Sequence, residues 1–166
     1  MRERGCRVSL VDPQALQEEA AVVVLHNSVL IRCSPEEAFD YLSDLRAELE
    51  WNPRCQSMEK ITEGPVGVGT RFRAKWKSSP LVEVEFTRYD RPRSWSAHNG
   101  GPIEVSFTCH LEPVPEGTLL RAEFAPRPHG WFRLVFPLFL LVISREEKAN
   151  MIRIREALER RTQVRP

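Results

Sequence analysis

The chain has 166 residues, of which 24 are basic and 23 acidic, so its formal net charge is +1. A near-neutral chain of this length is expected to form one domain, and it lacks the excess of basic charge that a phosphate backbone attracts. We therefore predict no nucleic-acid partner. Hydrophobic residues make up 42% of the chain, enough for a core that encloses a cavity and too many for a disordered protein.

The cysteines are widely separated and form no Cys-x-x-Cys pair. They are Cys6, Cys33, Cys55 and Cys109. This spacing favours reduced thiols over a zinc site or a disulfide framework, as is typical of a cytoplasmic protein. The N-terminus carries no apolar segment of the kind found in secretory signals, which agrees with a cytoplasmic location. No glycine-rich phosphate loop or metal-ligand cluster appears, so we predict no cofactor and no metal.

The N-terminal residues and the segment after them differ in pattern. Residues 1–19 have mixed charge and no period, which predicts an N-terminal tail. Residues 20–162 are predicted to form one ligand-binding domain, followed by a C-terminal tail over residues 163–166. Within that domain, residues 22–32 are rich in β-branched residues and predict a first strand.

A helix start signal follows the first predicted strand. Ser34 is a good N-cap, Pro35 occupies the first helical position, and Glu37 completes a Ser-x-x-Glu capping box. Apolar residues then recur at helical spacing, which predicts a helix over residues 35–46. A second short helix is predicted over residues 47–51, ended by an Asn-Pro pair.

The middle of the chain alternates between apolar and polar residues. The clearest segments are residues 71–77, 82–89, 103–112 and 119–125. With Gly- and Pro-rich turns between them, they predict about six antiparallel strands with one apolar and one solvated face. The basic residues Arg71, Arg73, Lys75 and Lys77 are expected to pair across strands with Glu83 and Glu85.

The last part of the chain is helical in pattern. Its apolar residues are Phe136, Leu140, Ile143, Met151, Ile154 and Leu158. They predict one helix of roughly 25 residues that starts or kinks at Pro137. A half-solvated sheet must cover its apolar face, and only this helix is long enough to do so. The predicted fold is therefore α+β, a curved antiparallel sheet wrapped on a long C-terminal helix, with two short helices after strand one and a pocket between helix and sheet.

Several motifs resemble one known family. They are Ile31, Ser34-Pro35-Glu36-Glu37, Phe39, Tyr41-Leu42-Ser43-Asp44, Trp51-Asn52-Pro53, Val68-Gly69-Thr70-Arg71-Phe72-Arg73, Gly117-Thr118 and Leu158-Glu159. On these motifs the chain resembles the START-like (SRPBCC) superfamily, specifically its polyketide cyclase/dehydrase group with the helix-grip fold. The resemblance covers about residues 22–161 and implies an internal cavity for a hydrophobic small molecule. It does not imply one reaction, since members include both aromatase/cyclases and lipid carriers.

Strand and helix periodicity predict which side chains line that cavity. The expected ligand-binding residues are Trp51, Phe72, Trp76, Phe86, Arg88, Trp95, Phe107, Phe124, Trp131, Phe136 and Leu140. A mostly apolar pocket with a few polar groups is the usual form of a small-molecule site. The same aromatic residues are also compatible with plain core packing.

Two charged residues are candidates for an acid–base or ligand-orienting role. Arg88 shares the inward parity of its strand, although a bulge would turn it to solvent. Glu147 interrupts the apolar stripe of the last helix, where it either faces the cavity or lies at a solvated helix edge. Asn99 and Cys109 share the inward parity but are better explained as a turn residue and a small core residue.

Two functions fit these features. The first is binding, for carriage or sensing, of a lipid, polyketide or aromatic metabolite. The alternative is a polyketide cyclase, aromatase or dehydratase acting in the same cavity. The scarcity of paired acid and base groups favours binding. Contact of residues 131–143 with a membrane surface is a further hypothesis, although burial of this segment under the sheet is the preferred interpretation.

Overall fold

The computed structural model describes residues 23–164. The predicted N-terminal tail, residues 1–19, lies outside the described residues. The domain boundaries stay a prediction, although the last helix continues through the first two residues of the predicted C-terminal tail.

Seven antiparallel strands form one sheet in the order β1-β7-β6-β5-β4-β3-β2. Their bounds are β1 Leu25–Ile31, β2 Cys55–Lys60, β3 Arg71–Trp76, β4 Leu81–Asp90, β5 Ser94–Asn99, β6 Ile103–Val114 and β7 Gly117–Pro128. From β2 to β7 each strand pairs with the next, while β1 joins the sheet by pairing with β7. The curved sheet and the helices confirm the predicted helix-grip fold.

Two short helices connect β1 to β2. The first, α1, spans Pro35–Ser43, and a 3₁₀ turn leads from it into α2, which spans Glu48–Trp51. The Ser34 hydroxyl accepts a hydrogen bond from the Glu37 amide, and the Glu37 carboxylate accepts one from the Ser34 amide, both at 3.2 Å. The capping box predicted from the sequence is therefore confirmed, and it sets where the chain leaves the sheet.

The C-terminal helix, α3, spans Phe132–Val164 and is longer than predicted. Pro137 lies inside the helix as its sixth residue, so the helix does not start at this proline, which was one of the two predicted alternatives. Turn-like hydrogen bonds from Phe132 to His129 and from Leu134 to Trp131 begin the helix one turn earlier. Because proline removes only one amide donor, a helix can continue through it near its N-terminus.

The outer face of the sheet carries two of the predicted cross-strand ion pairs. Glu83 lies 3.5 Å from Arg71 and 3.5 Å from Arg73, the latter directly opposite it on the neighbouring strand. These pairs confirm that the basic strand faces solvent beside acidic partners. Exposed pairs of this kind contribute little stability, so the sheet depends mainly on its apolar inner face.

The inner face packs against α1 and the C-terminal half of α3. The core includes Ile31, Phe39, Phe72, Phe86, Leu120, Met151, Ile154 and Leu158. A hydrogen bond joins the β1–α1 connection to the C-terminal end of α3, since the backbone amide of Arg32 donates to the Glu159 carboxylate at 3.2 Å. Arg161 adds a second tie, since its guanidinium donates to Glu50 on α2 and lies 4.8 Å from the Tyr41 ring centroid on α1.

The β6–β7 hairpin approaches the end of β1 very closely. Gly117 has φ +141°, and a Cβ atom there would overlap the carbonyl oxygen of Ile31. The adjacent Thr118 is fully buried and donates its hydroxyl proton to the Cys33 carbonyl at 2.8 Å. Only glycine fits this contact, which brings β7 against the β1–α1 connection.

Replacing Gly117 with alanine is expected to lower the free energy of unfolding by about 2–3 kcal/mol, because it combines an unfavourable φ with a backbone overlap. Chemical denaturation of the full chain measures this change. Gly100→Ala is the matched control, since Gly100 lies in another hairpin and a Cβ there meets no atom within 4 Å. Equal stabilities of the two variants would contradict the proposed close contact.

Candidate functional site

A cavity of about 450 Å³ separates the N-terminal half of α3 from the sheet. Its walls come from the inner faces of β3 to β7, from α2 and from α3. Small apolar side chains such as Ala97 and Ala122 leave room at its floor. Most of its lining is apolar. Polar residues gather where α2 meets α3, namely Glu48, Asn52, Arg54, Glu146, Glu147 and Asn150, while Ser78 and Ser79 lie in the β3–β4 loop and Asn99 at the end of β5. The cavity is therefore amphipathic, with mostly apolar walls and a polar end at the junction of α2 and α3.

Several residues predicted from periodicity line this cavity. They are Trp51, Trp76, Trp95, Phe107 and Phe124. Glu147 lines it too, which is the cavity position of the two that the sequence left open for this carboxylate. Trp95 and Phe107 lie on neighbouring strands with ring centroids 5.3 Å apart, so they form one continuous aromatic wall. Their contact with a ligand stays a prediction, while their position is set by the strand alternation that the sequence displays.

Phe72 and Phe86 face inward but do not line the cavity. Both are fully buried, and their ring centroids lie 6.0 Å apart. They belong to an aromatic cluster below α1, in which Tyr89 packs edge-on against Phe39 at 5.0 Å. At this end of the sheet α1 fills the space, so inward orientation leads to core packing instead of cavity lining.

Arg88 is exposed on the outer face, and its predicted inward orientation is wrong. The pairing of β4 with β5 shifts between Phe86 and Arg88, which marks a β-bulge at Thr87. The extra residue reverses the parity of the strand, so Tyr89 takes the inward position. Arg88 is thereby removed from the acid–base candidates.

Three residues at or just before the start of α3 were also misplaced. Trp131 is 65% exposed, and neither Phe136 nor Leu140 lines the cavity. The residues of α3 that do so near its N-terminus are Phe132, Val135, Phe139 and Ile143. The segment is apolar on all sides, so its periodicity could not show which face turns inward.

The polar end of the cavity is organised by Glu48 on α2. One of its carboxylate oxygens accepts hydrogen bonds from the indole nitrogen of Trp76 at 2.6 Å and from the side-chain amide of Asn52 at 2.5 Å. Burial raises the pKa of Glu48, and these two hydrogen bonds oppose that rise. The carboxyl is thus held in a fixed orientation beside the cavity.

Arg54 forms an ion pair at the polar end of the cavity. Its guanidinium donates to Glu146 at 2.7 Å and to the carbonyl oxygen of Lys77 at 3.2 Å. The second carboxylate oxygen of Glu146 is buried and has no hydrogen-bond partner. Arg54 therefore balances Glu146 and leaves the other nearby carboxyls without a paired cation.

Glu147 lies next to this arrangement on α3. Burial raises its pKa to about 7, and the neighbouring charges of Glu48 and Glu146 add to the rise, while Asn150 opposes it. Asn150 is itself buried and receives a hydrogen bond from Arg153 at 2.8 Å. Near neutral pH, Glu147 exists in both protonation states, so it can donate or accept a hydrogen bond or a proton.

The sequence did not single out Glu48 and Glu146. A four-residue helix has too few turns to show which side of α2 faces inward, and Glu146 lies in a charged segment that suggested a solvated turn. Glu147, in contrast, could be identified as a candidate from the sequence. Ile143, Glu147, Asn150 and Ile154 follow helical spacing, and all four line the cavity.

Two buried indole N–H groups accompany the carboxyls. The indole nitrogens of Trp51 and Trp95 are buried without a hydrogen-bond partner, and both residues line the cavity. Trp95 is only 4% exposed. Unpaired buried donors cost free energy, which is consistent with a pocket arranged for a function instead of maximal stability.

Within residues 23–164, no helix is long and apolar enough to cross a membrane. Over the same range, no group of three or more histidine, cysteine, aspartate and glutamate side chains is placed to hold a metal ion.

Comparison with known proteins identifies one family. A family model described as "Polyketide cyclase / dehydrase and lipid transport" matches residues 23–159. This match includes both short helices, every strand and most of α3. No curated protein matches the chain in sequence.

Solved structures share the fold at low sequence identity. The aromatase/cyclase ZhuI from Streptomyces sp. R1128 is 14% identical with a TM-score of 0.66, over 86% of this chain and 97% of that one. A protein of Thermus thermophilus, TTHA0849, is 16% identical with a TM-score of 0.68, over 82% and 97%. The protein Ara h 8.0201 is 18% identical with a TM-score of 0.61, over 83% and 98%. At these identities the likeness shows a common fold.

Replacing Glu147 with glutamine is expected to change how stability depends on pH. Because the folded protein holds the Glu147 proton up to a pKa of about 7, against an ordinary value of 4.5, this carboxyl's contribution to stability is complete below pH 4.5 and is lost as the pH rises through 7. Glutamine does not titrate, so the variant lacks this pH-dependent loss of stability. Its free energy of unfolding, relative to that of the wild type, should therefore rise by about 2–3 kcal/mol between roughly pH 5 and pH 8.

Unfolding by denaturant at several pH values measures that difference. Glu156→Gln is the matched control, since Glu156 is an exposed carboxylate on the same helix. A pH-independent difference between the Glu147 variant and the wild type would contradict the burial of this carboxyl.

Proposed function

Since the chain belongs to the polyketide cyclase/dehydrase and lipid transport family, we propose that its cavity binds a hydrophobic small molecule for carriage or sensing. The observation that carries the proposal is a mostly apolar cavity of about 450 Å³ with a group of polar residues where α2 meets α3. Such a space suits a lipid, a polyketide or an aromatic metabolite of drug-like size. No cofactor and no nucleic acid take part in this function.

The cavity lining favours a flat or ringed ligand with one polar group. Trp95, Phe107 and Phe124 offer aromatic surface along the body of the cavity. Glu48 and Glu147 lie at its polar end, where a ligand hydroxyl or amine can donate a hydrogen bond to a carboxylate. A protonated Glu147 can in turn donate to a ligand carbonyl, so the same end accepts more than one oxygen-bearing group.

The proposal includes a cytoplasmic location. Cys33, Cys55 and Cys109 are free thiols, and a reducing compartment is where free thiols persist. Burial raises the pKa of Cys33 to about 11, which keeps this thiol protonated and unreactive.

Binding can be tested by filling the cavity. Val105 lines it from β6, and the adjacent Ser106 points outward. Val105→Trp should weaken binding of N-phenyl-1-naphthylamine, a neutral apolar fluorescent probe, by at least about tenfold because the new ring occupies the ligand's space. Ser106→Trp adds the same bulk outside and should bind as the wild type does. Probe fluorescence titration measures both, and equal affinity in the two variants, or no binding by the wild type, would contradict the proposal.

A second candidate function is cyclisation or dehydration of a polyketide. The observation that favours it is the carboxyl pair Glu48 and Glu147, which lie close enough for the charge of Glu48 to raise the pKa of Glu147. In a dehydration, an ionised carboxylate would take the proton from the carbon next to a carbonyl. The protonated carboxyl would give its proton to the departing hydroxyl, which leaves as water, so the total number of carboxyl protons is unchanged.

Catalysis can be tested with a naphthyl β-hydroxy ketone, whose loss of water gives a conjugated enone with a new absorbance band. Glu147→Gln and Glu48→Gln should each lower the rate by about 100-fold or more, the usual contribution of general acid–base catalysis. Glu156→Gln is the control on the same helix. A wild-type rate equal to that in buffer would rule out this activity on such ketones, and a rate unchanged in both carboxyl variants would overturn the assigned roles.

A further inference from the structure

The outer face of the N-terminal half of α3 is a stripe of exposed apolar side chains. Trp131 is 65% exposed, Leu134 85%, Leu138 66% and Leu141 52%. The spacing of the three leucines puts them on one side of the helix, and Trp131 extends this row just before the first helical residue. We call this set the outer stripe. Single exposed leucines are common on protein surfaces, but an apolar row three turns long is typical of an interaction site.

The opposite face of the same half-helix is also apolar. Phe132, Phe139 and Ile143 line the cavity. A helix that is apolar all round is normally buried on all sides. Here the inner face is covered by the cavity and the sheet. Trp131 stacks on the neighbouring Phe132 at 4.1 Å, but Leu134, Leu138 and Leu141 stay exposed among the described residues. The preferred interpretation of the sequence, burial of residues 131–143 under the sheet, is therefore correct for the inner face of this segment and wrong for its outer face.

The charged residues along the outer stripe are basic. From residue 124 to residue 145 the chain contains Arg127, Arg133 and Arg145 and no acidic residue. All three arginines are exposed, and Arg145 continues the stripe one turn beyond Leu141. The nearby carboxylate of Glu104 contacts His129 at 2.9 Å and His98 at 3.3 Å, and it lies opposite Arg127 across β6 and β7, so it offsets part of the charge of Arg127 but not that of Arg133 or Arg145. The surface thus combines apolar side chains with positive charge at both ends.

This charge pattern disfavours a second copy of the chain as the occupant. A two-fold interface brings the same patch of two subunits together, so antiparallel helices would place Arg133 of one copy near Arg145 of the other. Like charges facing each other are repulsive, and the stripe offers no carboxylate to balance them.

We propose that the outer stripe of α3 docks on an anionic lipid surface, with Trp131, Leu134, Leu138 and Leu141 entering the headgroup–acyl boundary while the flanking arginines meet lipid phosphates. Interfacial helices combine leucine and tryptophan on the buried side with basic residues at its margin. Each basic residue near an anionic leaflet adds attraction, and tryptophan is enriched at the membrane–water boundary.

Docking there would bring a wall of the cavity onto the membrane. Val135 belongs to both surfaces, since it lines the cavity and is 42% exposed. A lipid surface at this position would lie one helix thickness from the cavity. The docking proposal concerns the outer face only, so it stands or falls independently of which molecule the cavity holds.

Vesicle co-sedimentation of the full chain tests the proposal. The vesicles are phosphatidylcholine alone or with about 30% phosphatidylglycerol. The wild type should sediment with the anionic vesicles, and raising the salt from about 0.1 M to 0.5 M should weaken that binding. Leu134→Glu combined with Leu138→Glu should reduce the partition coefficient at least about tenfold, because it removes buried apolar area and adds negative charge. Val68→Glu is the matched control, since Val68 is 68% exposed in the β2–β3 loop.

Each outcome decides the proposal. Loss of sedimentation in the double variant alone, with its thermal unfolding unchanged, supports docking through the outer stripe. Equal binding to neutral vesicles, or equal binding by the double variant, overturns it. Absence of vesicle binding by the wild type also overturns it. In that case analytical ultracentrifugation of the same variants distinguishes a second copy from residues 1–22 as the cover of the stripe.

Discussion

The structure depends on the unequal packing of one helix against one sheet. In its C-terminal half, α3 buries Met151, Ile154 and Leu158 in the core beside α1 and β1. In its N-terminal half the helix stands away from the sheet, and the cavity fills the gap. Because a helix is stiff over this length, the packed half determines where the other half lies. The cavity is thus a consequence of how the packed end is anchored.

That anchor is assembled from short-range and long-range contacts. The capping box at Ser34 directs α1 away from β1, and the close approach of Gly117 to Ile31 fixes β7 beside the same connection. Glu159 and Arg161 then tie the end of α3 to these elements. Several of these contacts coincide with the motifs on which the family resemblance depends, which explains why those motifs indicate the fold but not the reaction.

The N-terminal half of α3 buries carboxyl groups on its inner face and exposes apolar side chains on its outer face. Toward the sheet, the carboxyls of Glu146 and Glu147 lie among apolar residues, where desolvation and mutual repulsion favour the protonated form of Glu147. Toward solvent, leucines and a tryptophan are exposed. Both departures cost stability, and natural proteins usually tolerate such costs where a ligand or a surface is engaged. They occur on one helix because that helix separates the cavity from the exterior.

Local patterns in the sequence determined most of the fold. The alternation of β3, β4, β6 and β7, the Ser34 capping box and the helical spacing from Ile143 to Leu158 depend on neighbours within a few residues, so the chain displays them directly. The same patterns placed Trp95, Phe107 and Phe124 on the cavity side. They failed at Arg88, because a single bulge reverses strand parity without a clear mark in the sequence.

Only the tertiary structure decided the polar end of the cavity and the exposed stripe. Glu48 faces inward because its carboxylate accepts a hydrogen bond from Trp76, which β3 brings to it, and a second one from Asn52 at the end of its own helix. Phe136 and Leu140 do not reach the cavity because the rotation of α3 is set by its packed C-terminal half. An apolar segment carries no internal signal of which face is covered, since that depends on the distance between helix and sheet.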